Sequence, residues 1–123
     1  MGTLMVEMGT VSGTGIANEL NPKGAEGWLV LDCVPVTVAE RGLEAGWVPV
    51  TRRHCFVLGR TDDYRYEYSV DTIKLKGTKR GGIGDKANEF IATREDAGWE
   101  LCKAVTTGKM ATEQVHLIFV KRL

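Results

Sequence analysis

The chain has no long hydrophobic run. Its most apolar stretch, "WLVLDCVPV" from Trp28 to Val36, is far shorter than the roughly 20 residues that a membrane-spanning helix needs. The opening "MGTLMVEMGT" lacks both the basic region and the sustained apolar segment of a secretory leader, so a cytoplasmic location and no membrane partner are expected. There is no excess of charge either: 16 Lys and Arg balance 16 Asp and Glu. A neutral chain has no global field to draw in nucleic acid, and that class of partner is set aside. Cysteine is scarce. Cys33, Cys55 and Cys102 are odd in number and widely spaced, which fits neither a disulfide framework nor a zinc pattern. With two histidines, no nucleophile elbow and no paired carboxylates at a telling spacing, neither an enzymatic reaction nor a metal site is expected, and no cofactor is indicated.

What the chain does have is self-similarity. At 123 residues it has room for one compact domain, yet it writes an acidic residue, a small residue, Gly and Trp before an apolar run twice, in "GAEGWLVLDCVPV" and "EDAGWELCKAVTT". Setting Trp28 over Trp99 places Leu20 over Ile91, Lys23 over Arg94, Gly27 over Gly98 and Val34 over Val105. Further on, "RHCFVLGR" (53–60) lies over "VHLIFVKR" (115–122), which pairs His54 with His116. The chain divides into a first repeat over 1–60, carrying an insert over 37–47, and a second over 64–123.

The plan is clearest in the second repeat. In "YRYEYSVDTIKLK", Tyr64, Tyr66, Tyr68 and Val70 alternate with polar residues, as in a half-buried strand. The phase slips at Ile73, and a β-bulge near Asp71 or Thr72 would restore it. "GTKRGGIG" then breaks the strand, Asp85 is placed to cap a helix with Ala87, Phe90 and Ile91 on one face, and Gly98 ends it. Two strands follow. The first repeat reads the same way, with a short helix over 15–21 cut by Pro22 and an insert whose "EAGW" suggests a local helix and turn. Each repeat is β-α-β-β, its third strand fitting antiparallel between the first two. The expected fold class is α+β: a duplicated unit forming one mainly antiparallel six-stranded sheet with both helices on one face. Gly27 and Gly98 supply the turns, and Trp28 and Trp99 seal helix against sheet.

"YEYSVDTIKLKG", "ANEFIATREDAGWELCKAV" and "HLIFVKR" resemble the short bacterial domains of the domain of unknown function 4177 family. The second repeat matches over nearly its whole length, and the first is closest at "NELNPKGAEGW", lacking the acidic residue after Trp28. The resemblance implies a fold and brings no catalytic residues.

Two surfaces are candidates for function. The strand-to-helix connections "GTVSGTG" and "GTKRGGIG" are glycine-rich, and amides of Gly13, Gly15, Gly82 and Gly84 with the charges of Lys79 and Arg80 would form a site for an anionic, nucleotide-like small molecule. A solvated turn is the plainer reading. Neither a dinucleotide fingerprint nor a Walker motif is complete, since Ile83 stands where the Walker lysine belongs. The second surface is "WLVLDCVPV", apolar on both faces, so that Leu29, Leu31 and Cys33 call for cover from another subunit or from the insert. The tyrosine stripe and the two histidines read as strand faces and packing. The function expected is a non-enzymatic, self-associating binding protein holding an anionic small molecule at the glycine loops; the alternative is a protein-interaction or assembly module acting through its exposed sheet face.

Overall fold

The structure, a computed structural model, describes residues 2–9, 12–41, 46–75, 82–108 and 113–123, the Arg52 side chain excepted. The elements run β1 (Thr3–Met8), α1 (Gly13–Ala25), β2 (Trp28–Arg41), β3 (Trp47–Arg60), β4 (Tyr66–Lys74), α2 (Gly82–Asp96), β5 (Glu100–Thr107) and β6 (Gln114–Arg122). The α+β class and the β-α-β-β order of each half are as expected. In each half the third strand lies between the other two and antiparallel to both, in orders β1-β3-β2 and β4-β6-β5. The single six-stranded sheet is not formed. The described strands make two three-stranded sheets, linked by an isolated bridge between Thr51 and Gly108.

The reason lies at the strand edges. Thr61 N–H bonds the Gly27 carbonyl at 3.0 Å, so Gly27 and Leu29 turn their backbone groups to β3 while Trp28 and Val30 turn theirs to the other edge of β2. That edge meets the side chains of the second sheet. The Tyr68 hydroxyl donates to the Trp28 carbonyl at 2.8 Å and accepts the Val30 N–H at 3.0 Å. Cys102 Sγ donates to the Val30 carbonyl at 3.6 Å, and Lys103 Nζ meets Asp32 Oδ1 at 2.8 Å. Across the molecule, α1 occupies the outer edge of β4, where the Asn21 amide donates to the Tyr68 carbonyl at 3.1 Å and accepts the Tyr68 N–H at 2.7 Å. An edge already capped by a side chain cannot take another strand.

The helices are therefore not on one face. Ile16 and Leu20 of α1 join Met8, Val30, Phe56 and Leu58 of the first sheet and Tyr66, Tyr68, Val105 and Ile118 of the second in the main core. Phe90 and Ile91 of α2 pack on Ile73, Leu117 and Phe119, the opposite face of the second sheet. This two-sided cover removes the need for a bulge in β4. Its register with β6 is unbroken from Tyr66 to Lys74, and Ile73 points to α2 as Tyr66 and Tyr68 point to α1. Matching bulges fall instead in β2, between Val30 and Asp32, and in β5, between Leu101 and Lys103, and a further register shift in the first sheet comes between Val36 and Thr37.

Those matched bulges fix which residues correspond. Val30 pairs with Leu58 and Asp32 with Val57, as Leu101 pairs with Phe119 and Lys103 with Ile118. Leu58 thus corresponds to Phe119 and Val57 to Ile118, one residue away from the alignment of "RHCFVLGR" with "VHLIFVKR". Both stretches alternate, and the shared histidine draws them out of register. The counterpart of His54 is Val115, that of His116 is Cys55, and that of Met8 is Ile73.

Ser12 caps α1, its hydroxyl accepting the Gly15 N–H at 3.0 Å. Pro22 does not cut the helix, which runs on to Ala25 with the proline on its exposed side. α2 starts at Gly82, placing Asp85 inside the first turn. Gly27 and Gly98 have φ of 95° and 88° and end the two helices. The insert is not helical where described: Thr37–Arg41 and Trp47 onward extend β2 and β3 into a long hairpin, fastened by a 2.7 Å bond between the Thr37 and Thr51 hydroxyls. Glu44 and Ala45 lie outside the described residues. Arg94 on α2 grips Asp71 of β4 through two bonds of 2.9 Å while lying over Trp99.

Replacing Tyr68 by Phe leaves the Trp28 carbonyl and Val30 N–H without their partner, at a cost of about 1–3 kcal/mol. Urea unfolding should show a lowered midpoint with an unchanged slope.

Candidate functional site

The sequence places three features for inspection: the glycine loops, the histidines and the apolar strand β2. In the first loop Gly9 is exposed, Thr10 and Val11 lie outside the described residues, and the glycines of α1 are engaged. Gly13 is buried, and a side chain there would run into the Thr72 hydroxyl and Val70. The Gly15 amide is engaged by Ser12 and that of Ile16 by the Ser12 carbonyl at 3.0 Å. Gly82 and Gly84 open α2, where Gly84 is exposed and a Cβ there would meet nothing within 4 Å. Lys79 and Arg80 lie outside the described residues. Gly13 and Gly84 thus stand in unlike surroundings.

The histidines are both in the interior, at 1% and 0% exposure for His54 and His116. His116 is held on both ring nitrogens, Nδ1 to the Thr72 hydroxyl and Nε2 to the Thr107 hydroxyl, each at 2.8 Å. His54 bonds the Thr106 carbonyl, and its Nε2 has no partner among the described residues. Burial holds both imidazoles below their ordinary pKa, and the nearness of His54 lowers His116 further. Neutral, enclosed rings of this kind serve packing and polar satisfaction rather than proton exchange with a substrate. Among the described residues no three His, Cys, Asp or Glu side chains are grouped to hold a metal.

The face of the first sheet turned away from α1 is different. Met5, Leu31 and Val34 are 63%, 58% and 48% exposed there, and Cys55 and Val57 lie between them on β3. Leu31, thrown outward by the bulge, rests over Gly59, where a Cβ would meet it at 2.8 Å. Beside it is a pocket of about 340 Å³ lined by Leu29, Leu31, Gly59 and Thr61. Of the residues expected at an interface, Leu31 is on this face and Leu29 on its border with the main core. Cys33 is not: it pairs with Phe56 and packs on the core, because the bulge reverses the phase of β2 after Leu31. Burial also pushes the Cys33 and Cys102 thiols up to about 11, leaving them protonated.

The counterpart face in the second sheet is covered. Met5 corresponds to Val70, Leu31 to Cys102, Val34 to Val105, Cys55 to His116 and Val57 to Ile118. Val105, His116 and Ile118 are buried, and Val70 and Cys102 pack against the core that α1 joins. A signal for this was present in the sequence. Gly13, Ala17, Asn21 and Gly24 share one side of α1 at helical spacing, next to the Ile16 and Leu20 side. They let the helix approach β4 so closely that a side chain at Gly24 would strike the Tyr66 carbonyl.

No helix among the described residues is long and apolar enough to cross a membrane. No protein-family profile, curated protein or solved structure matches the chain.

Because the folded pKa of each histidine is depressed below the unfolded value of about 6.5, the unfolded chain binds protons first as pH falls. Stability is complete above about pH 7 and declines as pH drops below about 6.5. The urea midpoint measured from pH 8 to pH 5 should fall accordingly, and His116→Gln, though less stable at pH 8, should show a flatter profile; parallel profiles would exclude His116 as a source.

Proposed function

We propose that the chain is a non-enzymatic assembly module, a tandem duplicate of a β-α-β-β unit like those of the domain of unknown function 4177 family, which self-associates through the outer face of its first sheet. One observation carries the reading. The same positions that α1 and the core cover in the second sheet are bare in the first, leaving Met5, Leu31 and Val34 in water. Full burial of each such side chain is worth about 1.5–3 kcal/mol, and a contiguous apolar sheet face rimmed by charge is the usual form of an interaction surface. The rim is present in the exposed pair Glu7–Arg53 at 3.2 Å and in Asp32 with Lys103.

Anion binding at the first glycine loop has less to recommend it, since Gly13 is packed against β4 and the Gly15 amide is engaged within the chain. A nucleic-acid partner gains nothing from a neutral chain.

Multi-angle light scattering at micromolar concentration should find the wild type as a multimer and Leu31→Glu as a single chain of 13.5 kDa. The variant should keep the wild-type far-ultraviolet circular dichroism spectrum, because Leu31 is outside the core. A monomeric wild type would sink this function.

A further inference from the structure

We infer that self-association is head-to-tail: α2 of one copy docks on the outer face of the first sheet of the next, repeating between molecules the contact that α1 makes with the second sheet within one. This rests on the self-association proposed above and names its geometry. The receiving surface is already matched residue for residue. Val70, Thr72 and Ile118, which lie under or beside α1, correspond to Met5, Glu7 and Val57, and the Tyr68 backbone that Asn21 caps corresponds to that of Thr3. The Gly2 carbonyl bonds Arg60 N–H within the sheet, so Thr3, Met5 and Glu7 direct their backbone groups to the outer edge of β1, as Tyr68 does on β4.

The donating surface is matched too. With Leu20 over Ile91, the α1 positions Gly13, Ala17, Asn21 and Gly24 fall on Gly84, Asn88, Ala92 and Glu95 of α2. All four are exposed, beside but not within the face that Ala87, Phe90 and Ile91 turn to the core. Three of the four are small or carry an amide, the chemistry that lets α1 lie close against a strand edge. Glu95 replaces Gly24, whose absent side chain is required by the Tyr66 carbonyl; the counterpart of Tyr66 is Met1, which lies outside the described residues. Where α1 sets Gly13 against Thr72, α2 would set its N-terminal turn against Glu7, and a carboxylate at a helix N-terminus is favourable.

A second copy is the occupant that this pairing of surfaces selects, since each chain offers one bare sheet face and one bare helix stripe. Face-to-face pairing of two first sheets would leave the α2 stripe idle, and the two arrangements separate cleanly by complementation. Leu31→Glu spoils the face and keeps the helix stripe; Ala92→Arg spoils the stripe and keeps the face, at an exposed site remote from the core. Each variant alone should be monomeric by sedimentation velocity, and an equimolar mixture should give a 1:1 pair that grows no further. Met5→Glu and Asn88→Arg form a second such couple should either first variant fold poorly. If Ala92→Arg and Asn88→Arg assemble like the wild type, or if the mixtures stay monomeric, head-to-tail docking is overturned while self-association stands. A monomeric wild type overturns both.

Discussion

The contact between α1 and β4 organises the molecule. A helix from the first half is laid along a strand edge of the second, and the Asn21 amide takes over the backbone partners that a neighbouring strand would have used. This contact needs the absence of side chains at Gly13 and Gly24, and it excludes an extended sheet because the edge is occupied. From it follow the separation into two sheets, the placement of α1 and α2 on opposite faces of the second sheet, and a core drawn from both halves. Neither half buries its apolar residues alone.

The opposite junction is polar where the first is close-packed. The matched bulges of β2 and β5 sit near one another, with Cys102 reaching Val30 and Lys103 reaching Asp32. A bulge throws an extra residue out of the ladder and turns its strand. Here it delivers an acid from one half and a base from the other to the same place, while Tyr68 secures the edge of β2 beside them. Burial keeps that phenol protonated and able to donate. The two halves therefore interlock through residues at like positions that carry unlike chemistry.

Much of this was readable from particular residues. The repeated Gly-Trp pair located both helix ends, and the tyrosine alternation located β4. What failed were inferences that needed to know what lay across a strand. Ile73 looked like a slipped phase because a strand covered on both sides has no single apolar parity. The final strands were aligned by their histidines, although the bulges show the register to be one residue away. The strands flanking the "EAGW" echo form a hairpin zipped by Thr37 and Thr51, while Glu44 and Ala45 lie outside the described residues. The glycines of α1 also have a packing role that local spacing does not reveal, since Gly24 meets Tyr66, far along the chain.

The shared core also bears on the order in which the protein is made. During synthesis α1 leaves the ribosome well before β4, so its Gly13–Gly24 side must stay exposed until the strand that it will cover has been translated. The first half alone therefore lacks part of the core that the complete chain shares between its two sheets. The long hairpin of β2 and β3 is local in sequence and can zip in that interval, holding the waiting chain together until its other half arrives.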